Sequence, residues 1–341
     1  MQVLGCEASI SLVFNPGFGA EVNLAQQLVS YFAAFDRRLT LCRDLPKILG
    51  PLLWKFSSAC RSFRDTIAKM KGTMVPEILR RIEHQQQSTE GSQDPFILDA
   101  IIRFALKEGS RSNAEYADLI ADEAIFLCFE IAGPVSMVIT ILLYRIIRNP
   151  EYINPLREEL TEALKRANRG YSYQMFDDLP KLDSFTKETL RLDGPAVLGG
   201  TRLAMKPLAL RSLGMALPSG TQVTLPARSI HLDADYYPDP KTFNGYRFYN
   251  ADSEGRNVCD IFSVSDIWMA FGVGTSACPA RRMGTRVAQL VFARMLLQYD
   301  IESADKMGRD LPTHIFVDAD AVPNPEIKMR IRGRLCSEAE K

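Results

Sequence analysis

The chain has 341 residues, 46% hydrophobic and 24% charged, and its 41 basic and 41 acidic residues cancel to zero net charge. That length buries a large core, and the composition is that of a soluble globular protein. Neutrality excludes the basic footprint of a nucleic-acid binder and gives no reason to expect an anionic membrane as partner, and seven cysteines without paired spacing argue for a reducing compartment rather than a disulfide framework or zinc site.

In chain order, Met1 to Val13 is an apolar stretch leading into a loop at Gly17 and Gly19. The first residues show neither a basic flank nor a long apolar run, so no signal peptide or anchor is expected. Leu24 to Arg37 has helical spacing with Tyr31, Phe32 and Phe35 on one side. An apolar connector from Leu45 to Trp54 precedes a charge-laced helix over about Ser57 to Gln87, bent near Pro76. A polar loop from Ser88 to Asp94 and a helix from Pro95 to Leu106 follow. The long central helix runs from Asn113 to Arg148 and is closed by Asn149-Pro150. Its stretch from Ala124 to Tyr144 is apolar except for Glu130, Ser136 and Thr140. A charge and a proline inside a bilayer are costly, so this reads as a buried core helix rather than a membrane span.

Glu151 to Ala167 is a surface helix with Arg157, Glu158 and Glu159 outward, and Asp177 to Leu192 is another helix. Short strands with turn signals occupy Pro195 to Pro226, and an extended stretch with Pro238 and Pro240 leads to Arg247. After a polar loop from Asp252 to Asp266 comes Phe271-Gly272-Val273-Gly274-Thr275-Ser276-Ala277-Cys278-Pro279-Ala280-Arg281-Arg282, then a helix from Pro279 to Gln298. Pro279 suits a first helical turn, which puts Cys278 at a helix N-terminus where free N–H groups favour a thiolate. Alternation over Ile327 to Arg332 reads as an antiparallel strand. His84, His231 and His314 share no helix face, so no histidine metal site is expected.

The pattern Phe271-x-x-Gly274-x-x-x-Cys278-Pro279 before a helix resembles the haem-ligand loop of the cytochrome P450 family, whose cysteine thiolate is the proximal iron ligand. Lys187-Glu188-Thr189-Leu190-Arg191 resembles the family's Glu-x-x-Arg helix. Phe243 to Phe248 resembles the segment supplying the arginine of an ion-paired triad, here Glu188, Arg191 and Arg247. The resemblance covers about residue 120 to the end, and a weaker one of fungal type reaches back to the start. It implies a mainly α fold with a small antiparallel β part, P450-like but lacking the family's N-terminal third. A single domain over 1–341 is expected, with a helical part at 1–192, a β-rich part at 193–260, and the cysteine loop, its helix and the last strands at 261–341.

Around the loop the family pattern is altered. Ser276 stands where the family has an arginine or histidine for a haem propionate, and Ala280 stands where it has glycine. The family's acid–alcohol pair, which delivers protons to iron-bound oxygen, falls at Gly133-Pro134, or in the other register at Val135-Ser136. General-acid work needs a titratable or hydroxylic group, and Gly133-Pro134 offers none. Pro134 removes a helix hydrogen bond and is expected to kink the helix. Glu130, one turn earlier in an apolar run, is the candidate catalytic acid, its proton retained by desolvation.

The resemblance maps a substrate pocket onto Phe32, Phe35, Ile131, Gly133, Pro134, Val197, Leu198 and Phe316. It maps haem contacts onto Phe271, Gly274, Ser276, Cys278 and Ala280. The leading expectation is an enzyme of fungal-type secondary metabolism that no longer activates oxygen. Without a cofactor, it would fold a terpenoid or polyketide precursor for cyclisation, isomerisation or a pericyclic step by orientation and desolvation. The alternative is a monooxygenase with haem b on Cys278 and a reductase as electron donor; a second is a non-catalytic binding protein. The expected partners are a small hydrophobic substrate and a second copy or partner chain over an exposed sheet edge. Its expected location is cytoplasmic or peripheral to the endoplasmic reticulum membrane.

Overall fold

The computed structural model describes residues 2–44, 57–87, 96–109, 111–167, 171, 174–249, 259–304, 310–317 and 319–334. The expected connector from Leu45 to Trp54 and loop from Ser88 to Asp94 lie outside the described residues, as do residues 252–258 of the later polar loop. The chain divides into two compact units, Met1–Ser136 and Met137–Lys341, with the division inside the central helix.

In the first unit, the opening stretch is helical, not an irregular lead-in. Helix α1 (Gln2–Val13) buries Cys6, Ile10 and Val13 at spacings of one turn. A Cβ at Gly5 would fall 2.6 Å from the Ala132 carbonyl oxygen and 2.0 Å from Ser136 Oγ, so only glycine permits this approach. The expected Gly17/Gly19 loop is instead α2 (Pro16–Glu21), because Asn15 caps it by accepting the Phe18 N–H at 2.7 Å. Helix α3 (Leu24–Asp44) runs past the expected end at Arg37, and α4 (Ser58–Gln87) accommodates Pro76. Helix α5 (Ile97–Glu108) stops at Gly109, which takes the left-handed conformation. Helix α6 (Asn113–Arg148) has the expected bounds and continues through Pro134. By length and composition α6 alone among the described helices could cross a membrane; half of its most apolar window is buried in protein, as in a core helix.

The second unit is assembled on α8 (Pro180–Asp193), whose residues from Leu182 to Asp193 are all buried. Helix α7 (Ile153–Arg166) docks beside it and corrects the sequence expectation for Glu159. That carboxylate accepts the N–H groups of Lys181 and Leu182 at 2.8 and 2.9 Å, capping α8 rather than facing solvent. Burial pushes its carboxyl up to about 7 despite those bonds. Arg157 likewise bonds the Leu296 and Tyr299 carbonyls, and only Glu158 of the three is exposed.

Strands β1 (Gly199–Leu203) and β4 (Gln222–Leu225) pair antiparallel, as do β2 (Leu208–Leu210) and β3 (Met215–Leu217). The short α9 (Ala227–His231) returns the chain to α8. After the cysteine loop, α10 (Arg281–Gln298) leads into β5 (Tyr299–Ser303), which pairs with β8 (Met329–Gly333). Hairpin β6 (His314–Val317) and β7 (Asp320–Pro323) lies between them in sequence. Among the described residues every sheet has two strands, a mainly helical architecture with small antiparallel β elements.

Because α8 is buried from Leu182 onward, its polar side chains there must find partners inside. Glu188 takes Arg191 Nε at 2.7 Å, Arg247 Nε at 3.0 Å and the Asn244 N–H at 3.1 Å. Asp183 takes Arg286 and Gln289, and Asp193 takes Arg145, Thr313 and His314. Burial alone would raise the Asp193 carboxyl, but the His314 hydrogen bond and the Arg145 charge hold it down at about 2.

An acid depressed in the folded state contributes stability above its unfolded pKa and loses it as pH falls through the folded one. The stability contributed by Asp193 is therefore expected to vanish between about pH 4 and pH 2, a change of about 2–3 kcal/mol. Urea unfolding at stepped pH should give a flatter profile there for Asp193→Asn, with lower stability at neutral pH.

Candidate functional site

The loop around Cys278 is fixed by its own backbone. Gly272 and Gly274 have φ of 78° and 62°, left-handed values that carry no side-chain penalty only for glycine. Those turns let the Gly272 N–H reach the Met269 carbonyl at 3.0 Å and the Cys278 N–H reach that of Phe271 at 2.8 Å. Phe271 packs against Ile141, Leu190 and Trp268, which ties the loop to α8 and the end of α6. Thr275 and Ser276 point outward, and Cys278 is a free, half-buried cysteine.

The helix following the loop starts later than the sequence suggests. Helix α10 begins at Arg281 with Ala280 as its cap residue, so Pro279 is outside the first turn and Cys278 lies beyond the cap. What holds Cys278 is a cation: Arg281 Nη1 donates to the Cys278 carbonyl at 2.8 Å, and Nε donates to that of Phe262 at 3.1 Å. Arg281 is thus engaged, and Arg282 stacks its guanidinium 4.9 Å from the Phe262 ring.

Two residues to which the sequence assigned no role also hold the site. His231 Nε2 accepts the Met269 N–H at 2.9 Å, and the Ser265 hydroxyl accepts that of Trp268 at 3.1 Å. His231 is 3% exposed and stacks on Trp268 with ring centroids 5.3 Å apart. Burial and then the Arg191 charge push its imidazole down to about 4, so it is neutral near pH 7. A lone histidine between apolar residues at Ile230-His231-Leu232 was the available signal.

The mapped pocket residues are divided between the two units. In the first unit, Phe32 and Phe35 pack their rings 4.6 and 4.8 Å from Phe129, and a Cβ at Gly133 would lie 3.5 Å from Phe32. Ile131 is buried in the core, and Pro134 is exposed. Glu130 is exposed too, so the desolvation on which its role as an acid depended is absent. Ser136 donates its hydroxyl back to the Ala132 carbonyl at 2.6 Å and is 8% exposed, so it sits within its own helix and against α1.

In the second unit, Val197 bonds the Ala319 carbonyl at 3.2 Å, bringing Val197 and Leu198 beside the β6–β7 hairpin that carries Phe316. Phe316 is 59% exposed, with the Arg228 guanidinium 5.3 Å from its ring. Cys278 supplies the free sulfur that an iron ligand requires, on a loop whose outer residues face solvent, so the donor would fit a haem iron. Ser276 brings no charge to a propionate.

The cytochrome P450 family model matches residues 1–325. The chain belongs to the cytochrome P450 family. It is 41% identical to cytochrome P450 monooxygenase cpsD of Aspergillus campestris over 98% of this chain and 62% of that protein. It is 39% identical to bicoumarin synthase ktnC of Aspergillus niger over 96% of this chain and 79% of that protein. A third relative, bicoumarin synthase desC of Aspergillus desertorum, is 35% identical over 91% of this chain and 61% of its own length. This P450 chain thus spans about three fifths of cpsD and desC. Family membership implies haem, and the expectation of an enzyme without a cofactor gains no support from it.

In this P450 the loop conformation depends on Gly272. Gly272→Ala is expected to lower stability by about 1–2 kcal/mol, the cost of a left-handed L-residue. Gly199→Ala, at a position without positive φ and with its Cβ 3.6 Å from that of Ala227, should cost less. Equal losses in chemical denaturation would refute this account of the loop.

Proposed function

We propose that this chain is the haem-thiolate part of a fungal-type monooxygenase, with Cys278 as the sulfur ligand. The observation that carries the reading is the preformed loop, in which two left-handed glycines and the Phe271 carbonyl hold Cys278 with its sulfur free. Bound haem supplies one-electron and dioxygen chemistry, and a reductase supplies electrons. The protein's own part is to hold the thiol, through Arg281 on the Cys278 carbonyl and His231 on Met269, and to exclude water with aromatic side chains. Relatives named bicoumarin synthase support an aromatic, coumarin-like polyketide as the substrate class. Glu130, one turn before Pro134, is the titratable group that α6 offers nearest to the vacant acid–alcohol position.

That vacancy favours a second reading, an enzyme that orients a polycyclic precursor for cyclisation without oxygen activation. Cys278→Ala separates the two. Under the first reading the purified parent gives a thiolate-type carbon monoxide difference band after reduction, and the variant loses both band and activity. Conversion of a precursor by haem-free protein, unchanged in the variant, would favour the second.

The location is proposed to be peripheral to a membrane, on local chemistry that the neutral net charge conceals. Leu203, Met205, Leu208, Leu213 and Met215 are exposed, with Met205 at 82%. Arg202, Lys206 and Arg211 lie among them, and no acidic residue occurs between Asp193 and Asp233. Apolar side chains flanked by cations suit an anionic lipid surface. Co-sedimentation with phosphatidylserine vesicles is expected, falling at least about tenfold in the Met205→Glu/Leu213→Glu double variant. Equal recovery of parent and variant would exclude this face.

A further inference from the structure

We infer that His231 is a positioning residue for the thiol loop, relaying the order of the buried Glu188–Arg191–Arg247 triad to Cys278 through its acceptor nitrogen. The inference deepens the proposed haem-thiolate function and rests on that reading for its spectroscopic arm.

Arg191 is the point of departure. Its guanidinium is clamped by both Glu188 oxygens and donates through Nη1 to the main-chain carbonyls of His231 and Pro240. The end of α9 is therefore fixed by a charged donor, which makes a stronger hydrogen bond than a neutral one. The imidazole continues the link, because it belongs to the residue whose carbonyl Arg191 holds. Its Nε2 accepts the Met269 N–H at 2.9 Å, so α8 and Met269 are joined across a single residue. A nitrogen that accepts cannot carry a proton, and the neutral state near pH 7 provides this.

From Met269 the loop is closed in two steps. The Met269 carbonyl accepts the Gly272 N–H at 3.0 Å, and the next carbonyl in the loop to act, that of Phe271, accepts the Cys278 N–H at 2.8 Å. Stacking on Trp268, with planes inclined by 23°, fixes the rotation of the His231 ring. Nothing else among the described contacts holds the Met269 N–H, which would be stranded in the core without this acceptor. A purely packing role predicts that ring shape matters; the relay predicts that an acceptor at the Nε2 position matters.

The test compares His231→Phe, which keeps a ring against Trp268 but has no acceptor, with His231→Gln, whose side-chain oxygen reaches the same N–H. In haem-free protein, hydrogen exchange at the Met269 amide should accelerate by at least about tenfold in the Phe variant, the equivalent of one buried hydrogen bond. The Gln variant should stay within about threefold of the parent. In haem-loaded protein the reduced carbon monoxide band should move from the thiolate type toward the neutral-ligand type in the Phe variant, and the Gln variant should restore it. Exchange and band unchanged in a folded Phe variant would overturn the proposal. So would a folded Gln variant that loses protection, a criterion that holds even when the Phe variant fails to fold. A protein that never yields a thiolate-type band, yet shows the expected exchange pattern, would sink the proposed function and leave the relay standing.

Discussion

Burying α8 from Leu182 to Asp193 is the constraint on which the second unit depends. A carboxylate or guanidinium taken out of water costs several kcal/mol unless it is paired and fully bonded, and α8 carries Asp183, Lys187, Glu188, Arg191 and Asp193 into the interior. Each recruits a different neighbour: Arg286 and Gln289 from α10, the Asp260 carbonyl from the polar loop, Arg247 from the extended stretch, the His231 and Pro240 carbonyls, and Arg145 from α6. The helix thereby specifies which segments surround it. A helix with an apolar surface would pack against any of them in several registers; charged side chains with fixed partners admit one arrangement.

Much of this was legible in the sequence because its signals are local. The bounds of α6 follow from an apolar run closed by Asn149-Pro150, and the triad follows from residues three apart on one helix face plus one arginine. The cysteine loop was legible because glycine is the residue that left-handed turns demand, at Gly272 and Gly274. The start of α10 was misplaced because Pro279 suits a first turn, yet Ala280 provides the cap and Arg281 turns back onto the Cys278 carbonyl.

What stayed hidden depends on tertiary burial. Glu159 and Glu158 are adjacent and identical, and only docking of α8 decides that one becomes a helix cap while the other meets solvent. Glu130 differs in the other direction: an apolar run suggested desolvation, and its position on the helix circumference leaves it exposed. His231 was passed over as a metal ligand and has no periodicity to mark it, since its importance lies in a backbone N–H from a segment dozens of residues away. Net charge concealed a further property. Acidic residues elsewhere cancel the cations of the β1–β3 region, and only their absence over one stretch of sequence makes that face distinctive.

The contact between Gly5 and α6 couples two positions into one steric variable. With a helix carbonyl fixed at 2.6 Å from where a methyl would stand, the main chains approach as closely as hydrogen allows. Any atom added on the α1 side has to be matched by separation of the two helices, since the obstructing oxygen belongs to backbone and cannot rotate away. The hydroxyl of Ser136 donates to that same carbonyl, so this side chain too belongs to the seam between the helices.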